Sequence, residues 1–126
     1  MLVPEDLRYT DQHEWVGLEG EIATVGITDY AQDQLGDIVF VELPAVGTAV
    51  ESMCPFGTVE AVKTVSDLFS PMTGDVIAVN EALEAHPEYV NTDPYGAGWM
   101  IKIKVKTATE IDELLTAQAY RELIGA

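Results

Sequence analysis

Alternation of apolar and polar residues at period two governs the middle of the chain. In Glu21-Ile22-Ala23-Thr24-Val25-Gly26-Ile27, one face carries Ile22, Thr24 and Gly26 and the other Ala23, Val25 and Ile27, the signature of a strand. His13-Glu14-Trp15-Val16 reads as a preceding strand, with Gly17 to Gly20 as the turn of a hairpin. Ile38-Val39-Phe40-Val41-Glu42-Leu43 is almost continuously apolar and is closed by Pro44, which predicts a strand buried on both faces. Asp75-Val76-Ile77-Ala78-Val79 is a further strand, entered through the turn Pro71-Met72-Thr73-Gly74. Trp99 to Val105 alternates cleanly from Ile101 onward, with Lys102 and Lys104 outward and the aliphatic residues inward.

Helical signals are short. Asp29 to Leu35 has an acidic cap, Gln32 three residues on, and Gly36 as a stop. Asn80 is placed to cap residues 81–85, which end near His86-Pro87. Thr109 is placed to cap Glu110 to Leu115, and a last helix runs from about Ala117 to Ile124 and ends at Gly125. Many short strands with small helices predict a compact β-sandwich or barrel. The stretch Phe56 to Pro71 is rich in β-branched residues and places Lys63 where two strands meet. Val59, Val62 and Val65 also fit a helical spacing, however, and Val-Lys is not a preferred two-residue turn. An ordinary exposed lysine is the plain alternative at that point.

Length and charge narrow the picture. The 126 residues suit one domain. Twenty-two acidic residues stand against six Lys and Arg, for a formal net charge of −16. That charge argues against nucleic-acid partners, which require a basic face, and against docking on anionic membranes. Between Tyr9 and Ile101, 93 residues with 16 acids contain a single Lys or Arg, Lys63. The one cysteine, Cys54, fits a reducing compartment. The start carries no signal-peptide pattern and no apolar run is long enough to span a bilayer. A cytoplasmic protein is expected, or one of an equivalent matrix if a presequence has been removed.

Catalytic constellations are missing. Cys54 has no cationic neighbour in sequence and only His13 and His86 could serve it as a base. Three soft ligands without motif spacing do not make a zinc site, and no EF-hand loop or dinucleotide fingerprint occurs. No metal site is expected, and no pair of carboxylates is singled out.

The segment Gly57-Thr58-Val59-Glu60-Ala61-Val62-Lys63, followed by Val65-Ser66-Asp67 and Ser70-Pro71-Met72-Thr73-Gly74, resembles the lipoylation segment of the glycine cleavage H-protein family. His13-Glu14-Trp15, Val25 to Gln32, Leu35 to Pro44, and Pro94-Tyr95-Gly96 with Gly98-Trp99 match that family in order and spacing. The resemblance covers about residues 5–124. It implies a mainly β fold with small helices, a barrel-sandwich hybrid of two antiparallel sheets with the lysine on a hairpin tip. It implies one lipoyl-carrier domain over residues 1–126, with a core of about 9–106 and a C-terminal helical segment of about 109–125.

The resemblance also implies a non-catalytic carrier with lipoic acid in amide linkage to Lys63. The arm would take an aminomethyl group from a pyridoxal-phosphate-dependent glycine decarboxylase and deliver it to a tetrahydrofolate-dependent aminomethyltransferase. Dihydrolipoyl dehydrogenase would then reoxidise it, and a lipoate-attaching enzyme would have loaded it first. A monomer is the default. Glu14 and Asp67 match positions of a cleft that shields the cargo, where a carboxylate would hold an ammonium by a charge-assisted hydrogen bond. Glu60 matches a position that would help the attaching enzyme recognise the hairpin. Gln12 and Gln34 stand where family members have a serine and a histidine, and Ala61 replaces a common serine. No histidine role at position 34 carries over. The remaining alternatives are a lipoyl or biotinyl domain of another complex, and a relative that donates lipoate to other enzymes or acts as an interaction module. Val62 and Thr64 flank the lysine where biotinyl domains usually have methionines, and the His13-Glu14-Trp15 segment and C-terminal helices exceed a minimal lipoyl domain.

Overall fold

A computed structural model describes residues 1–125; Ala126, the last residue of the expected 1–126 domain, lies outside the described residues. Among the described residues, nine strands form two antiparallel sheets. They are β1 (Arg8–Tyr9), β2 (Glu14–Glu19), β3 (Ile22–Ile27), β4 (Ile38–Glu42), β5 (Ala49–Val50), β6 (Pro55–Ala61), β7 (Val65–Phe69), β8 (Gly74–Val79) and β9 (Ile101–Val105). The larger sheet has the order β1-β2-β3-β9-β8-β5 and the smaller β4-β6-β7. The two sheets remain separate and do not close into a barrel. Their inner faces share one core, in which Val25, Ile101 and Ile103 of the larger sheet meet Val59 and Leu68 of the smaller. Each such side chain contributes about 1.5–3 kcal/mol when fully withdrawn from water. The alternation of β3 and β9 is as expected: Ala23, Val25, Ile101 and Ile103 are wholly buried.

Among the described residues, four α-helices connect or cover these strands: α1 (Asp29–Leu35), α2 (Ala82–Ala85), α3 (Tyr89–Thr92) and α4 (Ala117–Ile124). A second apolar cluster beneath α4 holds Val3, Tyr9, Trp15, Ala117 and Tyr120. Trp15 lies flat across Gly26, its register partner. A Cβ at Gly26 would stand 2.7 Å from the indole nitrogen, which donates to the Pro94 carbonyl at 3.0 Å.

Several local expectations are corrected. The turn of the first hairpin is not Gly17 to Gly20. Gly17 pairs with Thr24 inside the ladder, and the chain reverses at Gly20, whose φ is 60°. The β4 strand is not buried on both faces. Ile38 and Val41 are buried while Val39 and Phe40 are exposed, because β4 is an edge strand with a register shift between Ile38 and Phe40. The cap of α1 is Thr28, whose hydroxyl accepts from the Ala31 N–H at 3.1 Å, and Asp29 instead sits in the first turn and accepts from Gln32. Gly36 ends α1 with φ 80°, as its position implied. Asn80 does accept from the Ala82 N–H. Thr109 caps nothing. Residues Ala108–Glu113 form a 3-10 helix, and Glu110 turns away to accept from both the backbone N–H and the hydroxyl of Thr73. The closing helix α4 runs from Ala117 to Ile124 as expected, capped by Thr116 and stopped by Gly125 in the left-handed region.

Candidate functional site

Lys63 sits at the apex of the β6–β7 hairpin. Val62, Lys63 and Thr64 form a three-residue loop, closed by the Ala61 N–H donating to the Thr64 carbonyl at 2.8 Å and anchored by the Val62 N–H on the Asp37 carbonyl at 3.1 Å. The helical reading of Val59, Val62 and Val65 is thereby excluded, since Val59 is in the core while Val62 and Val65 are exposed beside the lysine. Lys63 is itself exposed. Its side chain leans over the end of α1: Cε and Nζ lie 3.7 and 3.9 Å from the position that a Cβ on Gly36 would take. These are ordinary van der Waals distances, so the lysine lies against the surface at Gly36.

Gln34 and Leu35, immediately before Gly36, belong to a cleft of about 120 Å³. Its remaining walls are Gln12 and His13 just before β2, Glu14 at its start, Ile27, Ala31, Val59, and Ser66 to Leu68 on β7. The cleft therefore opens beside the strand that descends from the lysine. Glu14 and Asp67 share it, as do Gln12 and Gln34. Asp67 is exposed and pairs with Thr58 across the β6–β7 ladder. Glu60 is not in the cleft; it projects from β6 into solvent, between its ladder partners Phe40 and Val65.

Glu14 is 1% exposed. One carboxyl oxygen accepts from the Thr10 hydroxyl at 2.6 Å and the other from the Phe69 N–H at 3.4 Å. Burial pushes its pKa up to about 7, and the Thr10 and Phe69 hydrogen bonds oppose that rise. The carboxyl can thus hold or release a proton near neutrality. A group that carries its own ammonium into the cleft would favour the ionised form. His13 beside it adopts φ 73°. Its ring packs against Tyr30, and burial lowers its pKa while Asp11 opposes the shift. Thr10, His13, Ser66 and Tyr120 were not legible as site residues. A buried threonine four residues before a glutamate has no motif, and Tyr120 is 107 residues away from its partner His13.

A family model described as "Glycine cleavage H-protein" matches residues 7–126. The chain belongs to the glycine cleavage H-protein family. It is 61% identical to the glycine cleavage system H protein of Chlorobium phaeobacteroides, with all of both chains covered. It is 56% identical to that of Bacteroides thetaiotaomicron, with 99% of each covered. The crystal structure of a glycine cleavage system H protein from Mycobacterium marinum superposes with a TM-score of 0.91 at 42% identity, covering 98% of this chain and 100% of that one. Members of this family are lipoyl carriers of the glycine cleavage system and not enzymes, and so is this chain. The family match disposes of a lipoyl or biotinyl domain of another complex. No helix among the described residues is long and apolar enough to cross a membrane.

Proposed function

We propose that Lys63 is the residue that carries lipoic acid, as an amide on Nζ, and that the loaded arm returns to the cleft between α1, β2 and β7. The observation that carries this reading is the placement of Lys63: exposed on a closed hairpin tip, with its side chain lying over Gly36 beside the cleft residues Gln34 and Leu35. When bound, the lipoyl group supplies a disulfide that takes up the aminomethyl cargo and is reoxidised after delivery. The chain's own residues do the rest. The hairpin presents the amine to the attaching enzyme, with Glu60 as a charged contact on its flank. Leu35, Val59 and Leu68 line the cleft with apolar surface that excludes water from the stowed arm. Glu14 and Asp67 offer carboxylates to the ammonium of the cargo, Glu14 from the buried side and Asp67 from the exposed side.

The partners in this reading are the pyridoxal-phosphate-dependent decarboxylase, the tetrahydrofolate-dependent aminomethyltransferase, dihydrolipoyl dehydrogenase and the lipoate-attaching enzyme. A tethered arm raises the effective concentration of its end at whichever enzyme is docked. The chain acts as a monomer and as one carrier domain, in the cytoplasm, in keeping with the bacterial relatives.

The test is intact and peptide mass spectrometry after incubation with a lipoate ligase, ATP and lipoate. The wild-type chain gains one lipoyl group, on Lys63, and Lys63→Arg gains none. An unmodified wild type, under conditions that load a control carrier, overturns the assignment. Activity in glycine–bicarbonate exchange with the decarboxylase separates a glycine cleavage carrier from a relative that only donates lipoate.

A further inference from the structure

A single hydroxyl ties the C-terminal helix to two walls of the cleft. Tyr120 of α4 is wholly buried. Its oxygen lies 2.8 Å from Nδ1 of His13 and 2.7 Å from Oγ1 of Thr28. His13 adjoins Glu14 in one wall of the cleft. Thr28 caps α1, which supplies Ala31, Gln34 and Leu35 to another. The Thr28 N–H also donates to the His13 carbonyl at 3.0 Å, so the two residues continue the β2–β3 ladder just beyond the strand ends.

The direction of this chain follows from its inventory of donors. Thr28 Oγ1 already accepts from the Ala31 N–H. Its own hydrogen has one acceptor among the described residues, the Tyr120 oxygen. The Tyr120 hydrogen is then left for His13 Nδ1, which places the imidazole proton on Nε2. The reverse order would bury the Thr28 hydroxyl hydrogen without an acceptor, a costly arrangement in a residue with no exposure. A neutral ring also agrees with the burial of His13.

We propose that Tyr120 is a positioning residue for the cleft, fixing the α1 wall against the Glu14 wall through a directed Thr28–Tyr120–His13 hydrogen-bond chain. The inference rests on the reading of that cleft as the resting place of the loaded arm. The Tyr120 ring is held independently of its hydroxyl, because it stacks on Tyr9 at 4.6 Å and 12°. Tyr120→Phe therefore removes the hydrogen bonds and keeps the packing.

The first test uses the unmodified wild-type protein. Nitrogen-15 NMR of the His13 ring should report protonated Nε2 and an acceptor Nδ1; a neutral ring protonated on Nδ1 overturns the proposal and needs no variant to do so. In Tyr120→Phe, the Thr28 amide should exchange with solvent about fivefold faster, the effect of one net hydrogen bond. The second test uses chains lipoylated on Lys63 and loaded with the aminomethyl group, without any partner enzyme. Water cleaves the carbon–sulfur linkage of the cargo to give the arm thiol, formaldehyde and ammonia, and ammonia release is followed. Tyr120→Phe should lose its cargo about fivefold faster on the same basis, with unchanged yield of lipoylation, and Thr28→Ser should match the wild type. If Glu14→Ala accelerates the loss and Tyr120→Phe does not, the positioning role is overturned and the cleft reading stands. If neither variant changes the rate, both fall.

Discussion

The Thr10 hydroxyl donates a 2.6 Å hydrogen bond to the carboxyl of Glu14 while accepting from the Glu14 backbone N–H at 3.2 Å. The two residues thus form a closed local unit that fixes the glutamate rotamer at the start of β2. The Gln12 N–H donates to the same Thr10 oxygen at 3.1 Å, so the loop entering the cleft is tied to the same point. A single threonine organises one wall, and its glutamate is almost wholly out of water.

That burial has a measurable consequence in pH. In the unfolded chain Glu14 titrates near its ordinary value of 4.5, and in the folded chain near about 7. The folded state therefore binds the extra proton between these values, and stability falls as pH rises through this window. The loss contributed by this group is on the order of 3 kcal/mol once pH exceeds the folded value. Carbon-13 NMR of the Glu14 carboxyl should give a midpoint near about 7. Urea unfolding of Glu14→Gln should show a stability less steeply dependent on pH than the wild type over the same range. Parallel pH profiles in the two proteins would reject the account.

The architecture was legible where one physical signal dominated. Alternation located β3 and β9, and the glycine stops at Gly36 and Gly125 ended α1 and α4 where they do end. The signal failed where tertiary contact overrode it. Val39 and Phe40 look like core residues, yet a register shift in an edge strand turns them to solvent. Arg8–Tyr9 and Ala49–Val50 are too short to show a period at all. The position of Lys63 on a hairpin was open until Ala61 and Thr64 were seen to close the loop. Of the cleft, Glu14 and Asp67 were reachable through family motifs. Thr10, Thr28 and Tyr120 were not, because their meaning lies in contacts between distant segments.

Gly26 should not tolerate a side chain. A Cβ there would stand 2.7 Å from the Trp15 indole nitrogen and 2.8 to 2.9 Å from two ring carbons. The indole would have to leave its place in the second cluster and its hydrogen bond to Pro94. Gly26→Ala should therefore destabilise the fold by about 1–3 kcal/mol, the range for overpacking. Chemical denaturation measures this directly, and an unchanged midpoint and slope would show that the indole moves without cost.

In the proposed function Glu60 serves recognition and not folding. It is exposed and makes no side-chain hydrogen bond or ion pair among the described residues, so Glu60→Gln should alter stability by less than about 0.5 kcal/mol. Its ladder partner Val65 follows the Lys63 loop, which places its charge close to the amine that the attaching enzyme must find. The initial rate of lipoylation of Lys63 should fall about threefold to tenfold, as for a charge at the rim of an interface. An equal rate for both proteins would leave Glu60 as a solvated acid and nothing more.

The net charge of −16 bears on docking more than on folding. Lipoylation of Lys63 would remove the one Lys or Arg charge between Tyr9 and Ile101, so the lipoylated carrier, before it takes up its cargo, would stand at −17. A transient carrier must meet several enzymes and leave each one. Long-range attraction to basic surfaces speeds encounter without requiring a large buried interface. Salt at ~0.15 M already shortens the reach of such a field to about 8 Å. The apparent KM of the decarboxylase for the loaded carrier should therefore rise severalfold between low and moderate ionic strength, with kcat little changed. Substituting exposed acids one at a time should reduce that salt dependence in small steps. A KM that stays constant as salt is added would mean that short-range contacts around Val62 and Val65, and not the acidic surface, bring the carrier to its partners.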